Sequence, residues 1–425
     1  MVKTMNEDIM KAYQSAAKTY ADLGVNTNKA IKILKQTPLS IHCWQGDDVV
    51  GFEKSSTPLS GGGILATGSY FGRARSIQEL RNDLEKALSL IPGKNRINLH
   101  SIYGDFNNNF VERDQYTPEY FQSWIDWAIE RDLKLDLNCT LFSHPKANDG
   151  FTLSNKSKDV REFWIEHVSR CREISAEIGN QLKSPCIHNI WIPDGSKDIP
   201  VDRFGHRKLL KSSLDEIFKK KYPSSSMKDS LEGKLFGIGS ESYVVGSHEF
   251  YLSYAIANKV MLTIDTGHYH PTESVGDKIS AILPFITELM LHISRGVRWD
   301  SDHVVILDDN LIQLAEELIR TRAMNKIHLA LDFFDASLNR IGAWVIGARA
   351  VQKSLLYALL QPWDLLKEFE ENNHYFQRLA FLEEMKTLPF GNIWDFFCIS
   401  NNVPIRNNWI REIERYEKDV LERRI

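Results

Sequence analysis

The chain has 425 residues, 43% hydrophobic and 25% charged, with a formal net charge of −4. That is an ordinary globular composition with ample material for a large core, and its well-mixed charges offer no basic footprint for nucleic acid and no polybasic patch for a membrane. The N-terminus lacks the charged-then-apolar layout of a signal peptide, no run approaches about 18 apolar residues, and the five cysteines are widely spaced with no C-x-x-C pair, so a cytoplasmic protein with reduced core thiols is expected.

Taken in order, apolar residues at three- and four-residue spacing predict a helix over residues 7–23 and a shorter one over 27–36. Residues 39–44 read as a short strand. Ser60-Gly61-Gly62-Gly63 reads as a flexible surface loop, because no Gly-Lys-Ser/Thr follows to complete a phosphate cradle. Ser76-Ile77-Gln78-Glu79 opens a helix with the spacing of a capping box. Strands are predicted over 96–103, 133–139 and 187–195, the last ending in a turn, with helices over 118–131 and 159–179 between them. A helix over 207–222 leads to residues 226–235, whose β pattern is poor and which are read as a strand because they fill the slot where one is expected. A helix over 249–258 precedes the buried strand 260–264, which stops at Asp265. A helix over 277–288, the apolar run 289–291 ending at His292, a helix over 309–321 and a last strand over 327–335 follow. From Ile341 onward the pattern is nearly all helix.

Eight strand candidates alternating with helices imply parallel pairing and closure into a (β/α)₈ TIM barrel. No Gly-x-Gly-x-x-Gly follows the first strand, which argues against a doubly wound dinucleotide fold, and no repeat or low-complexity segment is visible. The expected organisation is an N-terminal helical segment (1–37), a catalytic barrel (38–345) and a helical C-terminal extension (346–425) engaged in subunit contacts.

Active sites of such barrels lie at the C-terminal strand ends. Those ends carry Trp44, His100, Asn138, Trp191 with Asp194, Glu232 with Lys234, Asp265 with His268, His292 with Asp300 and Asp302, and Asp332. Asp and His are common at caps and turns, and His144, His270 and His303 are read as capped loop histidines. Two acid/His clusters, each closely following an apolar strand, point instead to metal. Glu232, Asp265, His292 and Asp332 come from four successive strands and can hold one ion; His268, Asp300 and Asp302 lie just beyond and can hold a second, with Asp265 between. Oxygen-rich sites with one or two imidazoles suit Mn²⁺, Mg²⁺, Co²⁺ or Zn²⁺. Pattern alone would favour Glu241, after the cleaner strand 234–238, as the fifth-strand ligand; both glutamates stay open on that ground.

The segments Ile41-His42-Cys43-Trp44-Gln45-Gly46-Asp47-Asp48, Asn189-Ile190-Trp191-Ile192-Pro193-Asp194-Gly195, Phe236-Gly237-Ile238-Gly239-Ser240-Glu241-Ser242-Tyr243, Asp265-Thr266-Gly267-His268, Val297-Arg298-Trp299-Asp300-Ser301-Asp302-His303 and Leu331-Asp332-Phe333-Phe334-Asp335-Ala336-Ser337 resemble the L-rhamnose isomerase family over nearly the whole chain. The resemblance implies a barrel similar to xylose isomerase that interconverts L-rhamnose and L-rhamnulose with Mn²⁺, one or two ions per subunit, with Co²⁺ or Zn²⁺ able to substitute. It implies a cytoplasmic homotetramer in rhamnose catabolism. It assigns Glu232, Asp265, His292 and Asp332 to a structural ion and His268, Asp300 and Asp302 to a catalytic one. It assigns Lys234 to the sugar O1 region and His100 to ring opening, and its Glu-x-Lys spacing selects Glu232 over Glu241. Hydride transfer between C2 and C1 is then expected, with catalytic roles for Lys234, His100, His268 and Asp302. Trp44, Trp191, Lys234 and Asp332 would meet the sugar. The alternatives are a divalent-metal hydrolase or phosphoesterase on the same barrel, and a non-catalytic sugar-binding protein.

Overall fold

The structure is a computed structural model that describes residues 2–54, 68–234, 242–297 and 300–424; the side chains of residues 2–6 and 300–302 also lie outside the description. Eight parallel strands close into a barrel: β1 (Pro38–His42), β2 (Lys94–His100), β3 (Lys134–Asn138), β4 (Cys186–Trp191), β5 (Met227–Glu232), β6 (Met261–Asp265), β7 (Leu289–Ile293) and β8 (Ile327–Leu331). Each strand pairs with its sequence neighbours, and β1 pairs with β8, Leu39 opposite Leu329, to close the ring. The expected (β/α)₈ class is the observed one. The weak fifth strand forms as Met227–Glu232, held by six register pairs to β4 from Cys186↔Met227 to Trp191↔Glu232.

The strands alternate in chemistry as well as direction. In β7, Leu289, Leu291 and Ile293 belong to the main core under the helices, while Met290 sits in a separate small cluster with Ile187, Met261 and Ala330. That cluster is an apolar plug inside the barrel. The rest of the lumen is polar: Ser40 donates to Asp136 (2.7 Å), Asn138 to Asn98 (2.7 Å), and Ser230 and Thr263 share a hydrogen bond (2.6 Å). A polar lumen needs internal partners for every group, which fixes its side chains in place.

The helix between β1 and β2 starts where the sequence signals it. Ser76 Oγ accepts from the Glu79 amide (3.2 Å) at the start of α3 (Ile77–Leu88), and Glu79 reaches back to the Arg75 amide (2.8 Å). The longest cover, α5 (Lys158–Leu182), presses Gly179 against the backbone before β5 so closely that a Cβ there would meet Ser226 O at 1.6 Å. After β8, α10 (Arg340–Leu359) is almost wholly buried, and Trp344 Nε1 on it donates to His42 O at 2.7 Å. The chain ends return to the barrel. Tyr13 of the first helix, Val2–Ala21, stacks on Phe396 at 3.9 Å, and Arg424 pairs with Asp83 of α3.

Two features were not foreseen. Gly195–Ser196 pairs with Tyr243–Val244, and Arg295–Val297 pairs with Asp300–His303, each an antiparallel two-strand ribbon above the barrel mouth. The second ribbon carries the Asp300 and Asp302 positions that the sequence reading assigned to loops. Ser60–Gly63 lies outside the described residues. The five cysteines are free and buried, and no described helix is long and apolar enough to cross a membrane.

Candidate metal centre

Register delivers the first group of ligands. Asp265 and His292 are direct neighbours across β6 and β7, Glu232 ends β5, and Asp332 follows β8 with its amide donating to Ile293 O at 3.0 Å. One ligand atom from each of Glu232, Asp265, His292 and Asp332 lies within 4.8 Å of the others, and all but Asp332 are buried. Donors about 2.1–2.3 Å from a common divalent ion stand at comparable separations.

Each carboxylate keeps one oxygen tied to protein. Asp265 Oδ1 accepts from the Gly267 amide (2.7 Å) and Ser294 Oγ (2.8 Å). Asp332 Oδ1 accepts from Trp44 Nε1 at 3.1 Å. Glu232 Oε2 accepts from Asn189 Nδ2 at 2.5 Å, and Asn189 in turn accepts from Thr263 Oγ1 at 2.7 Å. Such second contacts orient ligands. His292 Nδ1 lies 3.1 Å from Asp332 Oδ2 and 3.3 Å from Glu232 Oε2, yet neither of its ring nitrogens makes an aligned hydrogen bond although the residue is 1% exposed. A buried imidazole with acids around it and no aligned partner fits a ligand to a cation.

His268 joins this group. Its Nδ1 stands 3.1 Å from Glu232 Oε1 and its Nε2 stands 3.8 Å from Asp265 Oδ2. The His268 carbonyl is held by His248 Nε2 (2.9 Å), whose ring stacks on Tyr269 at 4.0 Å. Asp300 and Asp302 are placed on the ribbon by backbone alone, and Glu241, Arg298 and Trp299 lie outside the described residues.

Three carboxylates crowded into one site repel, and protons relieve them. Burial pushes Asp265 up to about 7, with Asp332 and Glu232 adding to the rise against His268. Burial opposes charge on His292, but Glu232 and Asp332 outweigh it and hold that imidazole well above its ordinary value. His268 is raised as well, Asp265 and Glu232 prevailing over burial. Burial alone would raise Glu232, yet His292 and His268 hold it well below the carboxylate range. Asp332 is lowered, His292 prevailing over burial.

The other half of the rim is aromatic. Trp44, His100, Phe142, Trp191 and His268 follow one another with ring centres 4.7, 5.5, 5.7 and 6.3 Å apart. Trp44 is 2% exposed and edge-on to His100, and it serves Asp332 as a donor as well as lining the mouth. Lys234 Nζ lies 5.1 Å over the Trp191 ring. Burial pulls the His100 imidazole down to about 4. His144 caps the turn after it by accepting from the Lys146 amide (3.1 Å), as read from sequence. Asn189, Thr263, Ser294 and Phe142 were assigned no role from sequence. The three polar ones carried only the signal of a polar residue in or next to an apolar strand, which marks a polar lumen without naming partners, and Phe142 carried none.

The sequence matches the model of the L-rhamnose isomerase (RhaA) family over residues 7–424. It is 54% identical to the L-rhamnose isomerase of Bacteroides thetaiotaomicron over 418 residues, covering 98% of this chain and 99% of that one. It is 51% identical to that of Mannheimia succiniciproducens (98% and 99% covered) and 49% identical to that of Rhodopirellula baltica (98% and 97%).

Proposed function

The chain belongs to the L-rhamnose isomerase family, and from that premise we infer that it interconverts L-rhamnose and L-rhamnulose, an aldose–ketose isomerisation. The observation that carries the site assignment is the convergence of Glu232, Asp265, His292 and Asp332, with His292 lacking any aligned hydrogen bond. These residues would hold one divalent ion, and His268, Asp300 and Asp302 a second. Mn²⁺ is the ion proposed, with Co²⁺ or Zn²⁺ as substitutes, since carboxylates with one or two imidazoles suit all three. Such an ion supplies Lewis acidity that draws electron density from the sugar's hydroxyl and carbonyl oxygens.

The reaction balances within the sugar. A hydride leaves C2 for C1 while a proton passes from O2 to O1, so no outside redox partner is consumed. The chain's residues position and shield these atoms. His100, kept neutral by burial, meets the ring oxygen during ring opening. Trp44 and Trp191 wall the deoxy face and keep water away. Lys234 steadies negative charge developing at O1, Asp332 faces the sugar as well as the ion, and His268 and Asp302 hold the proton in transit. The hydrolase alternative is not favoured beside 54% identity to a named isomerase.

The rest of the reading concerns the whole protein. We assign residues 38–345 to the catalytic barrel, 1–37 to an N-terminal helical segment and 346–425 to an extension that joins subunits of a cytoplasmic homotetramer, with no nucleic-acid or membrane partner. The helix Tyr375–Met385 supports this, for it buries only Met385 and exposes Tyr375, Phe376 and Leu379. The test is to dialyse the protein against chelator, restore Mn²⁺ and measure ketose from L-rhamnose. Turnover should vanish and return. Activity indifferent to metal, or no ketose after restoration, overturns the proposal.

A further inference from the structure

His100 closes β2, and its neighbours decide which ring nitrogen carries hydrogen. The Thr140 amide donates to Ser101 Oγ (3.2 Å), Ser101 Oγ donates to Thr140 Oγ1 (2.9 Å), and Thr140 Oγ1 lies 3.1 Å from His100 Nδ1. A hydroxyl has one hydrogen. Ser101 spends its hydrogen on Thr140, so the Thr140 hydrogen goes to His100 Nδ1. The opposite arrangement, with Nδ1 as donor, would strand the Thr140 hydrogen in a fully buried spot, at the cost of an unmade hydrogen bond.

Thr140 is also held still. Arg113, 1% exposed, donates to Thr140 O (2.9 Å) and Phe142 O (2.7 Å), and its other nitrogens pair with Glu53. The hydroxyl therefore meets Nδ1 from a clamped backbone.

We propose that Thr140, oriented by Ser101, is a positioning residue that fixes His100 in the Nε2–H tautomer, so that the ring offers the cyclic sugar a hydrogen-bond donor and not a lone pair. This rests on the isomerase reading only in placing His100 beside the sugar. Burial, which keeps the ring neutral, keeps two tautomers in question and not a doubly protonated cation. A ring with Nε2–H can donate to the ring oxygen as its bond to C1 weakens. It cannot take the O1 proton without first changing tautomer.

Neutron diffraction from deuterium-exchanged, sugar-free crystals of the unaltered protein reads the point directly. A deuteron on Nε2 is expected; a deuteron on Nδ1 overturns the proposal whatever the enzyme's substrate. Kinetics give the second arm. Thr140→Val should lower kcat on L-rhamnose about 2–10-fold, the range of one neutral hydrogen bond, with KM changed by less than about twofold and Thr140→Ser restoring the rate. Added to His100→Asn, Thr140→Val should cost nothing more, because it acts through that ring. Additive losses overturn the positioning role. Absence of L-rhamnose turnover in the unaltered protein would sink the functional reading alone, leaving the neutron result to decide this one.

Discussion

The ligand cluster attracts protons as it would a cation. His292 and His268 are raised and Asp265 reaches about 7, all beside carboxylates. A metal must displace those protons, so its affinity falls as pH falls. Calorimetry of Mn²⁺ binding near pH 7 should show an enthalpy that varies with the ionisation enthalpy of the buffer, with the sign of proton release; no variation would count against this protonation pattern. Asn189→Ala should weaken Mn²⁺ binding about 10–100-fold by releasing Glu232, as measured by equilibrium dialysis. Asp265, His268 and His292 were legible because acids and imidazoles at the ends of apolar strands have few structural excuses. Asn189 was not, because its partners Glu232 and Thr263 are 43 and 74 residues away and only closure of the barrel brings them near.

Among the elements, strands were easier to read than helix ends. An apolar outward face recurs through most strands whatever their ends do; β5, whose Asp229 faces Arg172 of α5, lacks one, and its poor pattern was overruled by its place between β4 and β6. Helix limits shifted by several residues: a helix predicted over 207–222 is found as Arg203–Ile217, started by Asp202, whose side chain accepts from the Gly205 amide. The ribbon joining Arg295–Val297 to Asp300–His303 escaped because so few paired residues leave no periodicity to detect. Close approach is the tightest constraint on an element here. Gly179→Ala would drive a methyl into Ser226 O, and α5 or the start of β5 must move. A loss of about 1–3 kcal/mol is expected, visible as a lower denaturation midpoint.

At the scale of the whole molecule, the metal should act as a stabiliser as well as a reagent. Ion present at about 100 times its dissociation constant adds about 2.7 kcal/mol to the folded state. Chelator should therefore lower the melting temperature and Mn²⁺ restore it, in a scan that needs no sugar. The exposed face of Tyr375–Met385 gives a separate expectation. Replacing Phe376 and Leu379 together by Glu should reduce the mass of the proposed homotetramer in light scattering while leaving the circular dichroism of the subunit unchanged.

The mouth of the barrel is divided between two halves. The clustered carboxylates and imidazoles proposed to bind metal descend from β5 to β8, and the aromatic wall stands on β1 to β4. Anyone wishing to retarget the catalyst to a different aldose thus has half of the ring's outline to redraw, stave by stave, with Trp44 and Asn189 left in place because they hold Asp332 and Glu232 opposite. With those two anchors and His100 kept, the outline of the sugar's berth can be varied apart from the inorganic side, like lock and spring in one case.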